Sequence, residues 1–145
     1  SEMCIRDRSM AMLIGYFATR TGAFTALFSS LYDGNIPGWF ALIATPLGMM
    51  LASIFGVHPV ISSTVFLAVF SSGHADVHPA LLMQAHLIGW GAGTMSSVAS
   101  LSVIMGASLF RVRSRDLVLG VNLFAAFSYA LVGGIALSFI NIMIF

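Results

Sequence analysis

The sequence predicts an all-α integral membrane protein, a bundle of about five transmembrane or re-entrant helices with one of them broken. Three observations carry that expectation. Hydrophobic residues make up 59% of the 145-residue chain and charged residues 8%, with a mean hydropathy of +0.99, too little charge to clothe a soluble domain of this size. No Asp, Glu, Lys or Arg interrupts Gly34 to Ala75, Val77 to Phe110 or Leu117 to Phe145, so each block holds a membrane-length apolar run. Within Ala80 to Phe110, finally, the middle from Thr94 to Ser102 is crowded with hydroxyl and small residues. A straight helix over that range would run about 46 Å, against a hydrocarbon core of about 30 Å, so the span must break, tilt or fold back.

The elements follow in order. Ser1 to Arg8 hold Glu2, Arg6, Asp7 and Arg8 and the only cysteine, Cys4. This string resembles the translated end sequence of a sequencing-library adapter, which would place residues 1–8 outside the fold and make the rest a metagenomic fragment without cysteine. The other reading is a genuine basic flank on a complete small membrane protein. No small-residue cleavage site follows a short apolar core, so a cleaved signal peptide does not fit. Ser9 to Thr19 reads as the remainder of a span, followed by Arg20, Thr21 and Gly22 and a short amphipathic piece ending at Leu31. Arg20 is either an interfacial anchor or an anion contact. Tyr32 to Gly38 is a turn cluster.

Trp39 to Phe55 is long enough to cross or to form a re-entrant arm, with Pro46 inside it. Gly56, His58 and Pro59 break the run, and Val60 to Phe70 is too short to span alone. Ser71 to Pro79 reads as a polar loop, Ala80 to Phe110 as the broken span, Arg111 to Asp116 as a charged loop and Leu117 to Phe145 as a final helix. No internal repeat is evident. Arg111, Arg113 and Arg115 form the one strongly basic loop, which by the positive-inside rule is expected on the cytoplasmic side. A single crossing by Ala80 to Phe110 then puts the His74 to His78 loop and Phe145 outside.

Gly56-Val57-His58-Pro59, with Pro46 upstream, the polar break, Gly106, the basic loop and Asp116, resemble the C-terminal half of the ion-transporter superfamily, most closely divalent-anion/sodium symporters. The resemblance covers Ile36 to the C-terminus. It implies that residues 9–145 are one repeat of an inverted-repeat transporter, the C-terminal fragment of a larger chain in a bacterial inner membrane. Where that family carries Ser-Asn-Thr at its hairpin tip, this chain reads Ile36-Pro37-Gly38, and where it carries Thr-Pro-Pro, this chain reads Ser100-Leu101-Ser102. Its sodium and carboxylate ligands therefore do not carry over, and a divergent branch is implied.

The candidate substrate or ion site is Thr94, Ser96, Ser97, Ser100 and Ser102. Hydroxyls there can serve an anion or help hold a cation, and backbone freed at a helix break adds dipoles. The competing reading is that these hydroxyls bond their own backbone and that Gly89, Gly91 and Gly93 are a packing seam. His86 is either a proton carrier or a satisfied buried histidine. His58 is either a helix-start feature or a proton carrier. His74, Asp76 and His78 alternate in a manner that could ligate a metal, but Gly73 and Pro79 argue for a solvated loop.

The favoured function is secondary active transport of a small organic or inorganic anion by alternating access, coupled to H+ or Na+. No other cofactor and no nucleic-acid partner is expected. The expected partners are the lipid bilayer, the solute, and a missing N-terminal repeat or a second copy of the chain. A noncatalytic membrane scaffold is the alternative. An intramembrane enzyme comes last, because neither a Gly-x-Ser-x-Gly elbow nor a His-Glu-x-x-His helix is present.

Overall fold

The computed structural model describes residues 36–70, 75–98 and 100–144, together with Leu13, Tyr16, Phe17 and Ala26. The expectations for residues 1–8, for Arg20 and for His74 lie outside the described residues. What is described is helical, with one isolated parallel bridge between Ile36 and Ala75. The helices are α1 (Gly38–Ile54), α2 (Pro59–Phe70), α3 (Pro79–Ser96), α4 (Leu101–Phe110), α5 (Ser114–Leu117) and α6 (Leu123–Ile144), with a π-helical turn, Val118–Asn122, before α6.

Local chemistry sets most of these boundaries. Gly56 adopts φ +82°, and the bonds from Val57 N to Ala52 O (3.0 Å) and from Gly56 N to Ser53 O (3.1 Å) close α1 in a Schellman turn. Helices α2 and α3 begin with the same device. In Val57-His58-Pro59 the His58 Nδ1 accepts from Val60 N at 3.2 Å, and in Val77-His78-Pro79 the His78 Nδ1 accepts from Ala80 N at 3.3 Å. Proline at the first helical position loses nothing, since its amide would have been unpaired there. This duplicated tripeptide is a short repeat that the sequence reading passed over.

The break predicted inside Ala80 to Phe110 falls at Ser97 to Ser100. Ser97 is extended (φ −94°, ψ 122°), as is Ser100 (φ −71°, ψ 142°), whose hydroxyl accepts from Val103 N at 3.3 Å and so caps α4. The charged loop is shorter than expected, because Ser114 already opens α5. The final helix is also not continuous: Gly120 (φ −90°, ψ −133°) kinks it within the π-helical turn, a device that proline-free sequence hides.

Three helices make the core. Gly89 of α3 faces Met49 and Pro46 of α1, and Gly93 faces Ser53, so α1 and α3 run parallel. Gly134 of α6 faces Leu42 and Ile43, and Ser138 donates to Trp39 O at 3.4 Å, so α6 runs antiparallel to both. On α6 the contact side is Ala126, Ala130, Gly134 and Ser138, one small residue per turn, all buried. That spacing lets backbones approach closely. Pro46 cannot donate to Leu42 O, and a Cβ added at Gly134 would stand 3.0 Å from that same oxygen. A backbone Cα therefore packs where the helix lacks a bond.

Helix α2 has 12 residues, about 18 Å, and returns antiparallel to α1, with Phe66 against Gly48. Two stretches are long and apolar enough to cross a membrane, Pro79–Phe110 at mean hydropathy 1.4 and Ser114–Ile144 at 2.0. Only 24% and 28% of those windows is buried, so their apolar side chains, Leu101, Leu109, Phe124, Val132 and Met143 among them, face outward.

Candidate functional site

The helix break carries the predicted hydroxyls, and the structure separates them. Thr94 Oγ1 donates to Gly91 O at 2.8 Å, one turn back on its own helix. Ser96 is buried and donates to Gly93 O at 3.3 Å, with Met50 O of α1 at 3.5 Å. Ser97 is half-buried at the end of α3. Ser100 and Ser102 come together, their hydroxyls 3.2 Å apart at the exposed N-terminal end of α4. The bonds of Thr94 and Ser96 are the back-bonding pattern of hydroxyls in apolar helices. Ser100 and Ser102 keep a hydroxyl pair beside the positive end of a helix dipole.

Gly89 and Gly93 pack against α1, and Gly91 meets the ring of Tyr129 on α6 at 3.3 Å from an added Cβ. His86 is buried on α3, its Nδ1 donating to Leu82 O at 2.7 Å. The second ring nitrogen, Nε2, and the buried Ser53 hydroxyl reach no partner in hydrogen-bond geometry among the described residues; the Ser63 backbone is the other polar group beside the His86 ring. His58 caps α2 and sets its ring edge-on to Trp90 at 6.2 Å, which supports its helix-start reading.

A second site was not read from the sequence. At the end where α1 and α3 begin and α6 finishes lies a cleft of about 460 Å³, lined by Gly38, Trp39, Asp76, His78, Asn141 and their neighbours. Asn141 organises it. Its Nδ2 donates to Asp76 O at 3.2 Å, and its Oδ1 accepts from His78 N at 3.3 Å. Gly38 makes this possible, because a Cβ there would collide with Asp76 O. Asn141 was legible as a lone amide late in an apolar helix, a position where a polar group needs a partner.

Charge is segregated along the bundle. The charged residues described are Asp76 at this end and Arg111, Arg113, Arg115 and Asp116 at the other, all exposed. Between them no charged side chain is described, and large apolar side chains such as Leu87, Leu109, Phe124 and Val132 are exposed beside the polar Gln84, Ser102 and Tyr129. Comparison of the chain with protein-family models, with curated proteins and with solved structures returns no match.

Proposed function

We propose that this chain is the membrane-embedded part of a secondary active transporter, moving a small organic or inorganic anion by alternating access with H+ or Na+. The observation that carries the reading is the break between α3 and α4. A helix interrupted midway along an apolar stretch, with the Ser100 and Ser102 hydroxyls at the N-terminus of its second half, is the arrangement that anion-binding discontinuous helices use. The apolar belt with charge at both ends supports a transmembrane setting. Arg111 to Asp116 are then cytoplasmic in a bacterial inner membrane. Such a site lies between repeats, so an upstream repeat or a second copy completes it, and His86 is the candidate proton carrier.

Thiol accessibility tests this in a Cys4→Ser background. Ser100→Cys and Ser102→Cys are expected to react with a hydrophilic thiol reagent, and succinate, sulfate or phosphate to slow that reaction. Leu109→Cys, on the apolar outer surface, is expected to stay unreactive. Inertness of both serine positions, or reaction insensitive to every anion, would overturn the reading. A noncatalytic scaffold is the second reading, favoured by the back-bonded hydroxyls of Thr94 and Ser96 and by the small-residue seam.

A further inference from the structure

We propose that the cleft shared by the starts of α1 and α3 and the end of α6 binds a small organic cation of the ammonium class, held by the Asp76 carboxylate and the Trp39 indole. This site is separate from the helix break and does not depend on the transport reading. Its volume of about 460 Å³ falls in the range of small-molecule sites, about 300–1,000 Å³. Asp76 is exposed and is the only charged side chain among the lining residues. Trp39 is 53% exposed and lines the same cleft, so an accessible indole and a carboxylate share one cleft. That pair recognises ammonium groups, the carboxylate by charge and the indole by its quadrupole.

The helix ends do not reverse the sign. The N-termini of α1 and α3 each contribute the equivalent of about +0.5 charge and the C-terminus of α6 about −0.5. About +0.5 remains, against the full negative charge of the carboxylate. The first free amide of α3, at Ala80, is already taken by His78 Nδ1, which withdraws a donor an anion would need. The Asn141 amide is committed to Asp76 O and His78 N, so it shapes the floor while the Asp76 carboxylate stays available.

The experiment uses the full chain in lipid nanodiscs with Trp90→Phe, which leaves Trp39 as the sole tryptophan of the two. Tetramethylammonium chloride is titrated at constant ionic strength against sodium chloride while Trp39 fluorescence is followed. A saturable change with a millimolar midpoint is expected. Asp76→Asn should raise that midpoint about fivefold or more, within the range for such contacts, and Asp76→Glu should stay near the parent. Titration that does not saturate, or a midpoint indifferent to Asp76→Asn, overturns the proposal, as does an equal response to sodium sulfate. Should Asp76→Asn lose its helical circular dichroism, cross-relaxation from the tetramethylammonium methyls to the Trp39 ring in the parent chain decides. Its presence upholds the site, and its absence removes it.

Discussion

Replacing Gly89 by alanine tests the α1–α3 seam. The new Cβ would stand 2.8 Å from Met49 Sδ, 3.0 Å from Pro46 Cα and 3.1 Å from Met49 Cβ. The sulfur could swing aside, but Pro46 Cα is backbone in the middle of a buried helix face. The two helices must therefore separate by a few tenths of an ångström along a face that also carries Gly93. Overpacking of this kind costs about 1–3 kcal/mol. Alanine returns about 0.5–1 kcal/mol over glycine within a helix, so, taking the middle of each range, a net loss of about 1 kcal/mol is expected. Gly106→Ala is the matched control. Its Cβ would meet only Leu117 Cδ2 at 3.4 Å, an ordinary contact, and the propensity gain should survive. Reversible unfolding in mixed micelles, followed by circular dichroism, should therefore move Gly89→Ala down and Gly106→Ala up. Equal stability of Gly89→Ala and the parent, or a shift of both variants in one direction, would refute the packing.

Four further outcomes follow from the same geometry. His78→Ala should cost about 1 kcal/mol through loss of the α3 cap, and His78→Asn should restore most of it; thermal unfolding separates the two. Asn141→Leu removes both bonds that tie α6 to the 76–78 loop, costs about 1–3 kcal/mol, and should speed amide hydrogen exchange at His78. Arg111 ends α4 in the left-handed region at φ 55°, so Arg111→Gly should raise stability by about 1 kcal/mol, read from the same unfolding curves. Ser100→Ala should fray α4 by about 0.5–2 kcal/mol, seen as faster exchange confined to its first turn.

Much of the architecture was legible because it is written in local signals. Gly56, His58 and Pro59 announce one boundary and Pro79 another, and the hydroxyl-rich stretch announces the break that falls at Ser97 to Ser100. The kink at Gly120 was not legible. A glycine in an apolar helix usually signals packing, yet a Cβ there would meet nothing within 4 Å, and its backbone angles depend on how α5 and α6 are directed. The end cleft was not legible either, since Gly38, Asp76 and Asn141 are far apart in sequence and meet only through helix direction. Within the predicted hydroxyl group the spacing could not tell Ser96, which turns toward α1, from Ser102, which is exposed. A difference of six positions across a non-helical break carries no fixed angular relation.

The tie between the starts of α1 and α3 has a mechanical consequence. Asp76 N donates to Ile36 O at 3.5 Å and Asn141 bridges to the same loop, while glycines lock the helix faces below. α1, α3 and α6 can then move only as one block, since sliding any of them costs a hydrogen bond and a close-packed seam together. Helix α4 buries only Val103 and Ala107 and is bounded by extended residues at Ser97 and Ser100 on one side and by the kinked turn at Gly120 beyond α5 on the other. Compliance therefore concentrates in α4. A lever ten residues long, hung between two soft joints on a stiff three-helix frame, can swing without asking the frame to deform.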